Sequence, residues 1–146
     1  MTKYPEGFSD PKIEAFLTGF YKLSDTVGED AAYVAKYSAD AKLIMGLKVA
    51  EGSEQIAELR KGMWGAVVGR HHVLLQVFPF QPAKSRTGEF ALVGTVDYTL
   101  HNGKKVLVEW GAKMVVDRGS AESDDVKITF YQVYVDSTPV AKALSS

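Results

Sequence analysis

Apolar residues recur first at helical spacing and then, after Arg70, at every second position almost to the end of the chain. Asp10-Pro11 opens the helical part: Asp is a good N-cap, and proline at the first helical position leaves no amide hydrogen unpaired. Ile13, Phe16, Leu17, Phe20 and Val27 follow on one stripe, with Ser24 as its polar member, and Gly28 is expected to end the helix. A shorter helix is expected from about Glu29 to Tyr37, broken by Ser38-Ala39-Asp40. Ala41 to Val49 reads as a strand closed by Glu51-Gly52, and Ser53 can cap a third helix. Ile56, Leu59, Met63 and Val67 form the stripe of that helix, with Trp64 on its shoulder. Four strand-like segments complete the pattern: His71 to Phe80, Glu89 to Leu100, Lys105 to Asp117 and Val126 to Asp136. Polar loops at Gln81 to Gly88 and Arg118 to Asp125 separate some of them, and Val140 to Ser146 reads as a tail.

One hairpin register follows from this alternation. A two-residue Asn102-Gly103 turn would put Asp97 on the same face as Val108 and Thr95 beside Trp110. A three-residue loop, His101-Asn102-Gly103 with Gly103 left-handed, instead pairs Tyr98 with Val106 and Val96 with Val108. The second register keeps one face apolar, and a slip of one residue is costly wherever a face is buried. It places Asp97 and Glu109 on the outer face, away from any cavity.

Three helices followed by a curved antiparallel sheet predict an α+β chain with the helices on one face of the sheet. A single domain over residues 1–146 is expected, its core at about 9–137 and its tail at 138–146. With 46% apolar and 24% charged residues the composition is globular, and the length suffices for a continuous core. Seventeen basic and eighteen acidic side chains, a net charge of −1, give no electrostatic reason to expect nucleic acid or an anionic membrane as partner. There is no cysteine, which excludes disulfides and thiolate metal sites. The first ten residues have no apolar h-region, and no run reaches the roughly 18 apolar residues needed to span a bilayer. A cytoplasmic protein is the expectation.

The order helix, helix, strand, helix, long meander resembles the nuclear transport factor 2-like superfamily, which includes SnoaL-like cyclases, ketosteroid isomerases and scytalone dehydratases. The residues that carry the resemblance are Tyr37-Ser38-Ala39-Asp40-Ala41, Gly52-Ser53-Glu54-Gln55-Ile56, Arg70-His71-His72-Val73 and the closing Phe130-Tyr131-Gln132-Val133-Tyr134-Val135-Asp136. The resemblance implies a cone-shaped fold around an apolar pocket. Against the ketosteroid isomerase pattern, Tyr21 falls on the oxyanion-hole tyrosine, but the base position falls on Met45 and the second donor near Gly111 or Ala112. Against scytalone dehydratase, His72 matches one histidine and His101 lies near the other, while the acidic helix-one position falls near Gly28. Half of each active site is present.

The candidates for chemistry are therefore His72 as acid or base, Tyr21 as oxyanion donor, and Asp25, which follows Tyr21 at i+4 on the same helical face, so that the three could form a small polar cluster. Phe20, Met45, Trp64, Trp110 and Met114 are the candidates for apolar lining. His71 and His72 point to opposite faces of a strand and cannot hold one metal together, so neither a metal nor any other cofactor is expected. The expected ligand is a small, largely apolar organic molecule, turned over by cofactor-free isomerase, dehydratase or cyclase chemistry. The alternative is a non-catalytic dimerising or partner-binding module. The last strand is apolar on both faces, which predicts a homodimer through the outer face of the sheet.

Overall fold

Asp10 begins the first helix as its sequence suggests, and it ties that helix to the far end of the sheet. Its carboxylate accepts from the Ile13 amide at 3.4 Å, from the Lys84 amide at 2.8 Å and from the Arg118 guanidinium at 2.5 Å. The computed structural model describes residues 1–145; the last residue of the expected tail, Ser146, lies outside them. Helix α1 spans Pro11–Ser24 and α2 Asp30–Val34. Strands β1 (Tyr37–Met45) and β2 (Lys48–Glu51) precede α3 (Gly52–Gly62). Strands β3 (Val67–Pro79), β4 (Thr87–Leu100), β5 (Lys105–Asp117) and β6 (Lys127–Val135) follow, and α4 (Thr138–Ser145) ends the described chain.

The strands form one six-stranded sheet in the order β2-β1-β6-β5-β4-β3. The α+β class holds, but the sheet is mixed, because β1 and β6 run parallel. The β4–β5 register is the apolar-faced one, with Val96 opposite Val108 and Tyr98 opposite Val106. Gly103 sits at φ +83, the left-handed conformation that the three-residue loop requires. Asp97 and Glu109 are both exposed.

Several expected boundaries move. Helix α1 ends at Ser24 rather than at Gly28, so Val27 is exposed instead of lying on its buried stripe, and α3 starts at Gly52 after Glu51 rather than being capped by Ser53. The expected second helix stops at Val34, and Tyr37 instead opens β1 opposite Ile128, a pairing that no local pattern encodes. The expected single strand from Ala41 to Val49 is a hairpin turning at Gly46-Leu47. The third helix ends at Gly62 rather than running to Val67, because the glycines at 62 and 65 weaken it and Val67 pairs with Leu100. The expected tail is a helix, preceded by an Asx bond from the Thr138 amide to Asp136.

Gly94 is where the sheet and its core meet most closely. A Cβ there would lie 2.7 Å from Cζ2 and 2.9 Å from Cε2 of Trp110 and would strike the Val73 carbonyl. Gly94→Ala should therefore cost about 1–3 kcal/mol through overpacking. The check is a thermal melt with tryptophan emission, in which an unchanged midpoint and spectrum would contradict the packing described.

Candidate functional site

Between the inner face of the sheet and helices α1 to α3 lies a cavity of about 430 Å³. Its floor and walls come from the inward alternate residues of four adjoining strands: Arg70 and His72 on the edge strand β3, Val96 and Tyr98 on β4, Trp110 on β5, Tyr131 and Val133 on β6. Ser24, Tyr33, Leu59 and Met63 close the helical side, and the β1–β2 turn, Met45 to Lys48, forms part of the rim.

His72 stands at the helix–sheet junction, held by Asp25. The imidazole Nδ1 lies 2.5 Å from Asp25 Oδ1, and the His72 backbone amide donates to Asp25 Oδ2 at 2.8 Å. Asp25 is the C-cap residue of α1, so the helix end fixes its height along the strand. A carboxylate accepting from Nδ1–H leaves the lone pair on Nε2. Among the described residues nothing bonds Nε2, and His72 forms part of the cavity wall. Both side chains are about one-seventh exposed, at 14% and 15%. The pair is thus shielded: His72 borders the cavity, and both residues also border a separate surface groove with Thr18 and Lys22.

Tyr21 packs its ring against His72 at 5.4 Å and Trp110 at 5.2 Å between centroids. Its hydroxyl lies 2.8 Å from that of Tyr131. Burial raises the pKa of both phenols, and of Tyr33 and Tyr98, so all four remain protonated hydrogen-bond donors. Tyr131 belongs to the cavity wall, and Tyr21 stands one step behind it. When Tyr21 donates to Tyr131, the Tyr131 hydrogen is left free for the cavity. The Trp110 indole is pinned by Nε1–H donating to the Thr95 carbonyl at 3.0 Å.

Arginines and rings alternate along one side of the site. Arg60 lies over Tyr33 at 4.7 Å and over Trp64 at 5.4 Å, and Arg70 lies over Trp64 at 5.0 Å and over Tyr98 at 5.5 Å. Arg60 is fully buried and donates to Asp30 and to the carbonyls of Leu23, Ser24 and Thr26. Burial lowers the pKa of the Arg70 guanidinium from its usual value.

Of the residues proposed from sequence, His72, Met45 and Trp110 line the cavity, and Asp25 and Tyr21 stand directly behind its wall. Phe20 and Met114 are core residues outside the wall, at 1% and 0% exposure. Trp64 is also outside it, stacked behind Arg70. Their apolar character served packing, a use that periodicity alone does not separate from lining. His101 is exposed on the β4–β5 turn. Sequence reasoning missed Arg70, Tyr98 and Tyr131. The alternation that turns Tyr131 and Val133 inward, and Arg70 with His72, was the available signal.

No protein-family model matches the sequence, and no curated protein is detectably similar to it. Solved structures do match the fold. Aln2 from a Streptomyces species is 17% identical and superposes with a TM-score of 0.71 over 93% of this chain and 98% of its own. Nuclear transport factor 2 from Cryptosporidium parvum is 12% identical, with a TM-score of 0.69 over 86% of this chain and 93% of its own. The chain has the nuclear transport factor 2-like fold. A hexachlorocyclohexane dehydrochlorinase, LinA type 2, shares the nuclear transport factor 2-like architecture at a TM-score of 0.73 and 11% identity, over 86% of this chain and 84% of its own. At such identities the likeness extends to the fold alone.

Proposed function

We propose that the protein binds a small, largely apolar organic molecule in the cone cavity and moves a proton on it without a cofactor. The observation that carries this reading is the Asp25–His72 pair, with Nδ1 held by a carboxylate and Nε2 left for the cavity. In the step proposed, Nε2 takes a proton from a carbon next to a carbonyl. The C–H electron pair becomes the new C=C bond, and the carbonyl π pair moves to oxygen. The positive charge on His72 then faces Asp25, and the oxyanion faces neutral donors such as Tyr131, backed by Tyr21. Return of the proton elsewhere is isomerisation; loss of a β-leaving group is elimination. LinA is by name a dehydrochlorinase, so a fold relative supports elimination as one outcome. Compared with the roles expected from sequence, Tyr131 takes the place of direct donor and Tyr21 becomes its positioning residue.

Exchange in deuterated water tests this reading. Enolisable aromatic ketones incubated with the protein should gain deuterium at the acidic carbon, read by mass spectrometry. No catalysed exchange for any ketone shown to bind would sink the catalytic reading and leave a binding module.

We also propose that the chain pairs with a second copy through the outer sheet face. Phe78, Val93, Leu107 and Tyr134 are all large and exposed there. Light scattering should give twice the 16.0 kDa chain mass, and a monomer at micromolar concentration would refute it.

A further inference from the structure

We infer that the cavity takes a ligand with one carboxylate on an otherwise apolar body, and that Arg70 seats this carboxylate; the inference rests on the reading of the cavity as a ligand site. The charges of the wall are one-sided. Arg70 and Lys48 line it, and no aspartate or glutamate does. Asp25, which stands behind the wall, is engaged by His72.

Arg70 is also the odd one among the shielded arginines. Arg60 has Asp30 and three carbonyls, and Arg118 has Asp10. Arg70 gives one hydrogen bond, from Nη2 to the Met63 carbonyl, its Nε is buried without an acceptor, and no ion pair reaches it among the described residues. A guanidinium offers five N–H donors, and withdrawing one from water without an anion is costly. The faces of Trp64 and Tyr98 offset only part of that cost. A ligand carboxylate meeting the free edge of the fork supplies the missing countercharge.

The position fits the chemistry. Arg70 and His72 are alternate residues on one face of β3, so their Cα atoms lie about 6–7 Å apart along the strand. An acid group on Arg70 places the neighbouring carbons of the ligand beside His72. Tyr98, directly opposite Arg70 in the sheet, contributes a protonated phenol to the same corner. Lys48, exposed at the rim, adds attraction for anions at the mouth.

Calorimetry on the full chain with naphthoate and naphthamide, which share one aromatic body, tests the assignment near neutral pH. Wild type should bind naphthoate at least about tenfold more tightly, a difference of about 1.4 kcal/mol. Arg70→Met should bring the two affinities within about twofold by weakening naphthoate alone, and Arg70→Lys should retain only part of the preference because it lacks the planar fork. Equal affinities in wild type, or a preference that survives Arg70→Met, overturns the assignment. Should Arg70→Met fail to fold, the wild-type comparison and Arg70→Lys still decide. Naphthamide that binds without any carboxylate preference refutes this inference alone, whereas failure of both probes to bind refutes the ligand-site reading with it.

Discussion

His72→Ala is expected to lower the rate of deuterium exchange by about 10²- to 10⁴-fold, the range that a positioned general base contributes. Affinity for the same ketone should change little, because the imidazole is one wall residue among many and Met45, Val96, Trp110 and Val133 keep their places. The expected signature is therefore a fall in kcat with KM nearly constant. Asp25→Asn affects both functions of the carboxylate. The asparagine oxygen can accept from Nδ1–H, but its amide nitrogen cannot accept from the His72 backbone amide, which now uses Oδ2. That variant should lose both stability and rate. His72→Ala should lose rate far more than stability, since it leaves Asp25 its bond from the backbone amide. A kcat within threefold of wild type for His72→Ala would remove the histidine from the mechanism.

The second large effect is structural. Arg60→Met should destabilise the protein by about 2–4 kcal/mol, since the buried Ser24 carbonyl and the part-buried Thr26 carbonyl lose their donor at about 1–3 kcal/mol each and some relaxation follows. Both lie at and just beyond the end of α1, where a helix has no intrahelical donors left, whereas the Leu23 carbonyl, which Arg60 also reaches, keeps the Thr26 amide as donor at 3.1 Å. For a chain of this length the melting temperature should fall by roughly 10 °C. Lysine at the same position should rescue only a fraction, because a single ammonium cannot reach both Asp30 and the carbonyls in the geometry of the fork. A melting shift below 2 °C for Arg60→Met would show that water satisfies the helix end as well as Arg60 does.

Legibility differed between the sheet and the site. The β4–β5 register was readable because Val96, Tyr98, Val106 and Val108 share a face, and only one loop length keeps them there. Periodicity was silent on β1 meeting β6, since parallel partners at opposite ends of the chain leave no turn signal. The two members of the His72–Asp25 pair were each visible as a polar residue on an otherwise apolar element. That they could form one polar cluster with Tyr21 was readable from the i+4 spacing on α1; the direct Nδ1–carboxylate bond was not, because residues 47 positions apart are joined here by tertiary packing of α1 on β3. Alternation puts Tyr131 and Tyr134 on opposite faces of the last strand, but with both faces apolar the pattern does not say which of the two hydroxyls is the inward one that meets Tyr21. Arg60 gave no warning either. A charged residue on a helix is ordinarily solvated, and only the neighbouring end of α1 makes burial favourable.

The bond between Tyr21 and Tyr131 bridges 110 positions, and the β1–β6 pair closes a shorter loop within it, from Tyr37 to Ile128. Contacts that distant incur the entropy of closure before any packing offsets it, so they form late and slowly. The cavity wall draws Met45 from one side of that closure and Tyr131 and Val133 from the other. A chain in which β6 has not yet closed onto β1 and β5 therefore lacks a complete cavity wall. A ligand seated there would touch both sides of the closure and act as a clasp on it, which predicts slower unfolding in its presence.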